Sequence, residues 1–184
     1  MRVISGICGG RKLKAPKGLK TRPTTDKIKQ AIFNKLQLDE IGEVLDLFAG
    51  SGGMGIEFLS RGAEKVVFVD GDFNSIKIIK ENLSDIGLEE NAEVYKNDVF
   101  RAISILGQKR RKFDYIFLDP PYENGFVPKA LEMIYEKNLL KDSGMIIAEH
   151  EKFLDLTEME LSFEIETVKK YGDTIITFLK NKED

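Results

Sequence analysis

From residue 43 onward, short apolar runs alternate with stretches in which apolar residues recur every three or four positions. The runs predict β-strands, and the recurring positions predict amphipathic helices. We expect strands at 44–47, 65–69, 92–95, 113–118, 145–148, 163–168 and 174–179, and helices at 53–61, 74–83, 100–106 and 127–136. This alternation predicts an α/β fold with a mainly parallel seven-stranded sheet. The last two strands predict an antiparallel hairpin at its edge, with a turn at 169–173.

The beginning of the chain follows a different pattern. Two short runs, 2–5 and 11–14, flank a pair of glycines and predict a two-stranded ribbon. Residues 24–38 have helical spacing and predict a helix. We therefore expect a short N-terminal extension, residues 1–38, before a main domain, residues 39–184.

The composition is that of a globular chain with a substantial core. Of 184 residues, 42% are apolar and 32% are charged, which excludes disorder along the full length. No apolar run approaches 18 residues, so we expect no membrane span and no membrane partner. The first residues also lack the pattern of a secretory signal.

The single cysteine and the single histidine limit the chemistry that the chain can carry. Because Cys8 is the single cysteine of the sequence, an internal disulfide is excluded, and we expect a cytoplasmic location. With one residue of each type, we expect no metal site. His150 lies between two acids, which should raise its pKa, and we expect a surface or structural role for it.

Positive charge is concentrated at the start of the chain. Residues 1–35 contain ten Lys and Arg against one Asp, a formal charge of +9, whereas residues 36–184 contain 18 against 30 acids, a formal charge of −12. A basic segment on an acidic body is typical of proteins that bind a polyanion. A second basic run at 109–112 either extends this surface or forms a solvated loop.

A glycine-rich segment follows the first predicted strand of the main domain. Gly50, Gly52 and Gly55 match the G-x-G-x-x-G spacing that lets a backbone approach a nucleotide cofactor at a helix N-terminus. Asp70 ends the next strand, where a carboxylate can hold two ribose hydroxyls. Both NAD and S-adenosylmethionine (SAM) fit this spacing. Asp46 favours SAM, because a buried carboxylate repels a pyrophosphate and attracts a sulfonium and an ammonium.

Further contacts with the cofactor are expected next to these residues. Phe48 and Ala49 lie in the glycine-rich segment itself. Asp98 and Val99 follow the third strand of the main domain, where the Asp98 carboxylate can accept from an adenine amine and the Val99 N–H can reach a ring nitrogen. A helix N-cap is an equally good explanation of Asp98.

A second candidate site follows the strand predicted at 113–118. Asp119, Pro120, Pro121 and Tyr122 combine a carboxylate, a stiff backbone with free carbonyls and a flat aromatic face. This combination suits methylation of an exocyclic base amine. Asp119 and the Pro120 carbonyl would each hold one N–H, so that the nitrogen lone pair points at the methyl donor. Tyr122 would stack on a base turned out of its helix or loop.

With these two sites, the chain resembles the RsmD-type 16S rRNA guanine-N2 methyltransferases over nearly its whole length. The blocks that carry the resemblance are Arg-Pro-Thr-Thr-Asp at 22–26, Asp-Leu-Phe-Ala-Gly-Ser-Gly at 46–52, Ser-Arg-Gly-Ala at 60–63, Asp-Pro-Pro-Tyr at 119–122 and Tyr-Gly-Asp-Thr at 171–174. Many amino methyltransferases share the second and fourth blocks, whereas the first narrows the resemblance to this family. The resemblance implies a Rossmann-like class I methyltransferase fold.

The resemblance also implies the reaction and its partners. SAM is the implied cofactor, and the implied acceptor is a guanine N2 in 16S rRNA, either free or within an assembling small ribosomal subunit. No obligate protein partner is inferred. The block at 22–26 is implied to close over the cofactor and the base, which makes Thr24 a candidate cofactor contact. Family members commonly have Glu at the position of Asp70. Either acid can hold the ribose hydroxyls, but the shorter side chain of Asp70 reaches less far.

The basic extension is then the expected contact with RNA phosphates. Its candidate RNA-binding residues are Arg2, Arg11, Lys12, Lys14 and Arg22.

Other functions remain open to the sequence. A methyltransferase for adenine N6 of DNA or RNA uses the same Asp-Pro-Pro-Tyr chemistry, although such enzymes often carry an added recognition domain. Protein-glutamine methyltransferases more often have Asn at position 119. If the chain were an NAD-dependent oxidoreductase, the presence of Asp46 would have no explanation. If it were an RNA-binding module without activity, neither the acids near the glycine-rich segment nor Asp119 would have a use.

Overall fold

The computed structural model describes residues 1–15, 25–36, 38–121 and 125–182. The expectations for Arg22, Thr24 and Tyr122 therefore concern residues outside the described ranges. The chain divides into two compact units, Met1–Asp98 and Val99–Asp184. The helices and strands are α1 Asp26–Phe33, β1 Glu43–Leu47, α2 Gly53–Ser60, β2 Lys65–Asp70, α3 Phe73–Ile86, β3 Ala92–Lys96, α4 Val99–Gln108, β4 Phe113–Leu118, α5 Phe126–Glu136, β5 Leu140–Glu151, β6 Phe163–Tyr171 and β7 Thr174–Asn181.

Seven strands form one sheet in the order β3-β2-β1-β4-β5-β7-β6. Parallel pairing joins β1 to β2, β2 to β3 and β4 to β5, whereas β7 runs antiparallel to β5 and to β6. The predicted fold class, a mainly parallel seven-stranded sheet with an antiparallel hairpin at one edge, is confirmed. In sheets of this kind, ligands bind beyond the carboxyl ends of the parallel strands.

The core of the first unit consists of two central strands covered by helices. Residues 44–47 of β1 and 66–69 of β2 are buried on both faces, as expected for parallel strands between helical layers. Helix α2 is buried along its whole length, which fits its almost wholly apolar sequence. Helix α3 instead buries one face, formed by Ile76, Ile79 and Leu83.

The second unit is organised around β4, β5 and β7. Residues 116–118, 146–150 and 175–179 of these strands are buried. Helix α5 contributes Ala130 and Ile134, which are fully buried and lie four residues apart on one face.

The strand β5 is longer than the pattern predicts. The apolar residues 145–148 predict a strand of that length, but the observed strand starts at Leu140. Leu140 pairs with Phe113, and the register then shifts so that Met145 pairs with Tyr115. The polar stretch in between, which resembles a turn in sequence, is therefore an irregularity inside a longer strand.

The turn between β6 and β7 is tighter than predicted. The polar character of residues 169–173 predicts a turn over the whole stretch, but this prediction is wrong. Lys169 pairs with Ile176 and Lys170 with Ile175, so both lysines belong to β6. Gly172, with φ +65°, provides the left-handed residue of the short turn.

Helix α1 ends five residues earlier than the pattern predicts. It stops at Phe33, and the N–H of Lys35 then donates to the Ile32 carbonyl at 3.0 Å in a tighter final turn. Asn34 lies at this end, where its short polar side chain disfavours continuing the helix.

The N-terminal ribbon is present in a reduced form. Arg2 and Lys12 make one isolated antiparallel bridge, and the N–H of Val3 donates to the Arg11 carbonyl at 2.9 Å. The N–H of Leu13 donates to the Met1 carbonyl at 3.0 Å. Within the described ranges, the helices are all too short or too polar to cross a membrane.

Candidate active site

The glycine loop, residues 48–52, connects β1 to α2 and turns sharply. Phe48, Gly50 and Gly52 have φ values of +59°, +57° and +78°. A left-handed conformation suits glycine but is strained for Phe48, and such strain is concentrated at functional sites. The N–H of Ala49 donates to the Val69 carbonyl at 3.1 Å, which ties the loop to the end of β2.

Asp46 lies in β1 beneath the first turn of α2. Its side chain is 1% exposed, and its Oδ2 accepts a hydrogen bond of 2.9 Å from the N–H of Gly55. Burial raises the pKa of Asp46 to about 8; the nearby Asp70 carboxylate also acts to raise it, while the Gly55 hydrogen bond acts to lower it. Asp46 therefore keeps its proton to a higher pH than an ordinary aspartate does.

Asp70 ends β2 and braces the glycine loop. Its Oδ2 accepts from the N–H of Gly50 at 2.8 Å, and its Oδ1 accepts from the N–H of Asp72 at 2.8 Å. Burial raises the pKa of Asp70, while these hydrogen bonds lower it. Because each carboxylate oxygen has a second lone pair, the same carboxylate can also accept hydrogen bonds from a ligand.

Two other predicted contacts follow β3 in sequence. The N–H of Asn97 donates to the Asp70 carbonyl at 3.1 Å, which fixes the end of β3 beside Asp70. Asp98 is exposed and Val99 is buried as the first residue of α4. Burial of the Val99 side chain leaves only the backbone of that residue for the predicted contact.

In the second unit, the described part of the Asp-Pro-Pro-Tyr block directly follows β4. Asp119 is half-buried, Pro120 is buried and Pro121 is exposed. Leu118 pairs with Ala148 of β5, so β5 continues alongside this segment. A half-buried carboxylate at the end of a parallel strand can accept hydrogen bonds from an amino group.

The family model described as Conserved hypothetical protein 95 matches residues 1–180. The chain belongs to this family. It is 44% identical to YlbH of Bacillus subtilis (strain 168) over 99% of this chain and 100% of that protein. It is 37% identical to Ribosomal RNA small subunit methyltransferase D of Haemophilus influenzae over 83% of this chain and 79% of that protein. The resemblance to RsmD-type proteins is thereby confirmed.

Solved structures of similar proteins show the same fold. The hypothetical protein TTHA0928 of Thermus thermophilus superposes with a TM-score of 0.84 at 26% identity, over 98% of this chain and 99% of that one. SMU.776, solved in complex with SAH, superposes with a TM-score of 0.63 at 16% identity, over 75% of this chain and 44% of that one. The predicted class I methyltransferase fold is confirmed.

Three of the predicted RNA-binding residues already have partners within the protein. Arg2 donates to Asp26 at 2.8 Å, and Arg11 donates to the Asp85 carbonyl at 2.6 Å. Lys14 lies 2.9 Å from the Asp85 carboxylate and 3.3 Å from that of Glu81, and these partners raise its pKa. Lys12 is exposed.

One cation of the basic segment is not available to RNA. Lys29 belongs to the positive charge of the extension, but its side chain is 1% exposed. Its Nζ lies 3.6 Å from the buried Glu57 carboxylate and donates to the Arg2 carbonyl. Burial lowers the pKa of Lys29. The charge pattern alone could not separate this interior lysine from the exposed ones.

Of the two roles expected for His150, the surface role is wrong and the structural role fits; the expected rise in its pKa is also wrong. The side chain is buried, and burial lowers its pKa, whereas the flanking acids alone would raise it. Its Nδ1 donates to the Glu151 carbonyl at 3.1 Å, because a carbonyl can only accept. In the neutral ring, Nε2 then accepts from the Thr177 hydroxyl at 2.8 Å. His150 therefore has a structural role between β5 and β7.

No group of three or more His, Cys, Asp or Glu that could hold a metal occurs in the part of the chain that the structure describes.

Sequence reasoning missed two buried polar residues near the glycine loop. Glu57 is 0% exposed in α2, and Asn82 is 1% exposed in α3. A signal was available for both, because each interrupts an otherwise apolar helix face. Both bind the backbone of the N-terminal segment, which no local pattern could indicate.

Gly55→Ala should lower the free energy of unfolding by about 2 kcal/mol, as expected for overpacking of a tight interior. A Cβ at Gly55 would overlap the Phe68 ring and lie 2.9 Å from Asp46 Oδ2. This cost exceeds the gain of about 1 kcal/mol from the higher helix propensity of alanine. Denaturant unfolding followed by circular dichroism measures the difference.

The control is Gly71→Ala, where a Cβ would lie 3.8 Å from the nearest atom, the Asn97 carbonyl oxygen. Its effect should stay within about 0.5 kcal/mol. Equal stability of the Gly55→Ala variant and the parent chain would contradict the tight packing of α2 on Asp46.

Proposed function

We propose that the chain is a SAM-dependent methyltransferase that acts on the exocyclic N2 amine of a guanine in 16S ribosomal RNA. Membership of the family and the 37% identity to Ribosomal RNA small subunit methyltransferase D support methyl transfer to ribosomal RNA. The observation that carries the proposal is a pair of acids in a class I methyltransferase fold. Asp70 accepts from the N–H of Gly50 in the glycine loop, and Asp46 accepts from the N–H of Gly55 in the first turn of α2.

The acids of the glycine loop fit a cationic nucleoside cofactor better than a dinucleotide. With a pKa of about 8, Asp46 can lose its proton when a sulfonium and an ammonium approach, whereas a pyrophosphate would keep it neutral or be repelled. Asp70 would hold the ribose hydroxyls with its second lone pairs. The proposed cofactor contacts are Thr24, Asp46, Phe48, Ala49, Gly50, Gly52, Asp70, Asp98 and Val99.

The Asp-Pro-Pro-Tyr block would hold the acceptor. When bound, SAM supplies a methyl group attached to a positive sulfur. The lone pair of a guanine N2 is delocalised into the ring, so the amine is a poor nucleophile. Asp119 and the Pro120 carbonyl would accept its two N–H groups, Pro121 would keep the segment stiff and Tyr122 would stack on the base. Asp119 would stabilise the positive charge that develops on nitrogen, and solvent would take the proton afterwards.

The N-terminal extension would position the RNA. We propose that residues 1–38 contact phosphates and close over the cofactor, and that residues 39–184 form the catalytic domain. The partner would be 16S rRNA, free or in an assembling small subunit. The proposed phosphate contacts are Arg2, Arg11, Lys12, Lys14 and Arg22.

Nucleoside analysis tests the reaction directly. The protein is incubated with methyl-labelled SAM and small-subunit rRNA from cells that lack this activity, and the RNA is then digested to nucleosides. The proposal predicts label in N2-methylguanosine. Label in N6-methyladenosine would replace the guanine assignment with the adenine one, and absence of labelled RNA would contradict methyl transfer to rRNA.

Replacing Arg11, Lys12 and Lys14 with Gln should weaken RNA binding and flatten its dependence on salt. Each lost phosphate contact should lower the slope of log K against log salt by about one unit. Lys12→Gln alone should account for much of this change, because Arg11 and Lys14 already bind groups on α3. Filter binding between low and moderate salt measures the slope.

Lys152→Gln is the matched control, since Lys152 is paired with Asp173 at 2.7 Å in the second unit. A salt slope that is equal in the triple variant and the parent would assign RNA binding to another surface.

A further inference from the structure

The side chain of Asn82 joins the N-terminal ribbon, residues 1–14, to the glycine loop. Its Oδ1 accepts from the N–H of Lys14 at 2.8 Å. Its Nδ2 donates to the Lys14 carbonyl at 3.0 Å and to the Ser51 carbonyl at 3.0 Å. Both N–H groups and the oxygen of the amide are thus hydrogen-bonded, so one side chain links the Ser51 carbonyl to the backbone of Lys14.

The other strand of the ribbon ends on the same part of the loop. The Ser51 hydroxyl lies 3.6 Å from the Met1 sulfur. A Cβ at Gly53 would approach that sulfur to 2.7 Å, so Gly53 provides the space in which Met1 packs. Both ends of the ribbon therefore contact residues 51–53, at the start of α2.

The middle of the ribbon is held elsewhere. The Glu57 carboxylate accepts from the N–H of Ile4 at 2.7 Å and from the N–H of Ser5 at 3.0 Å. Glu57 lies one turn beyond the start of α2 and is fully buried. This anchor fixes residues 4–5 independently of Ser51, so a change in the glycine loop reaches the ribbon mainly through its ends.

We propose that Asn82 is a positioning residue that couples cofactor binding at the glycine loop to RNA binding by the ribbon. This inference rests on the proposed function. A ligand that orders the loop fixes the Ser51 carbonyl, which fixes the Asn82 amide and, through two hydrogen bonds, the backbone of Lys14. Lys14 precedes the 22–26 block in the chain, and it lies two residues after the exposed Lys12.

The coupling must act in both directions. If the cofactor orders the ribbon for RNA, then RNA must tighten cofactor binding by the same factor. The ligand that binds first loses some binding free energy in ordering Ser51, Asn82 and Lys14. The second ligand meets residues that are already ordered, so it binds more tightly. A factor of about 10 lies within the usual range for coupled sites.

Calorimetry of the Asn82→Asp variant measures the coupling. A carboxylate at this position keeps the shape of the amide but cannot donate to the Lys14 and Ser51 carbonyls. The affinity for SAH, the demethylated cofactor, is measured with and without a short fragment of small-subunit rRNA. In the parent chain, RNA should tighten SAH binding about 10-fold. In Asn82→Asp, that factor should fall to about one.

Asn91→Asp is the matched control. Asn91 also donates from its Nδ2 to a backbone carbonyl, that of Glu64 at 2.9 Å, but it is exposed and lies in the short helical turn before β3. The control should keep the coupling factor of the parent. An equal factor in the parent, Asn82→Asp and Asn91→Asp would overturn the proposal.

If Asn82→Asp does not fold, hydrogen exchange on the parent chain shows whether cofactor binding orders the backbone of Lys14. On addition of SAH, exchange of the Lys14 amide should slow at least about 5-fold, because that N–H donates to Asn82. Exchange of the Ile4 amide, which donates to Glu57, should change much less. Slower exchange in the glycine loop with no change at Lys14 would overturn the coupling and leave the proposed function intact. No heat and no protection anywhere would contradict the proposed function itself.

Discussion

Replacing Asp119 with alanine should lower the turnover of methyl transfer by at least about 100-fold and leave the affinity for SAM nearly unchanged. This is the usual cost of removing a group that stabilises charge mainly in the transition state. In our account, the carboxylate holds an N–H of the acceptor and offsets the positive charge that forms on its nitrogen. The proposed cofactor contacts lie elsewhere in the chain, so binding of SAH should persist. Single-turnover kinetics and calorimetry separate the two effects.

Two further variants sharpen this result. Asp119→Asn keeps an acceptor oxygen but removes the charge, so its turnover should fall between those of the parent and the alanine variant. Asp114→Asn is the control on the same strand, where the carboxylate is paired with Lys141 at 2.8 Å. Its turnover should stay within about twofold of the parent, since surface-type ion pairs contribute little. Near-normal turnover of Asp119→Ala would remove this carboxylate from the mechanism.

Replacing Asp46 with asparagine should stabilise the protein more at pH 8 than at pH 5. Burial raises the pKa of Asp46 to about 8 in the folded chain, from the ordinary aspartate value of 3.8. Between these values the folded state holds a proton that the unfolded state has lost, so the stability that Asp46 contributes falls as pH rises. The asparagine variant lacks this dependence. The difference between variant and parent should grow by about 3.5 kcal/mol from pH 5 to pH 8.

Denaturant unfolding at several pH values measures this difference, with Asp142→Asn as an exposed control for the loss of one charge. A difference that does not change with pH would mean that Asp46 is ionised in the folded protein. The same group should also link cofactor binding to pH. Binding of SAM should release a proton from Asp46 near neutral pH, and calorimetry in buffers of different ionisation enthalpy detects that release.

Much of the fold could be predicted because local and global preferences agree. The strands β1, β2 and β4 are short, mainly apolar runs that are largely buried, so the apolar pattern alone marks them. The pattern failed where polar residues lie in strands. Lys169 and Lys170 extend β6 because their backbones pair with β7, which composition does not reveal.

The sequence could indicate which residues form the candidate site, but it could not show their protonation or their hydrogen-bond partners. The spacing of Asp46, Gly50 and Asp70 indicated a cofactor loop, and the structure places both carboxylates on loop or helix N–H groups. The sequence could not show that the pKa of Asp46 is raised, because that shift depends on burial. It also could not show that Asn82 bridges residues 14 and 51, which are far apart in sequence.

The most direct test of the central claim is a calorimetric comparison of SAH and NAD as ligands of the intact chain. The claim is that the glycine loop, with Asp70 bound to it and Asp46 beneath the first turn of α2, accepts a nucleoside cofactor that carries no phosphate. We predict saturable binding of one SAH per chain, loss of that binding in Asp70→Ala and no measurable heat with NAD. Tight binding of NAD together with no binding of SAH would contradict the account.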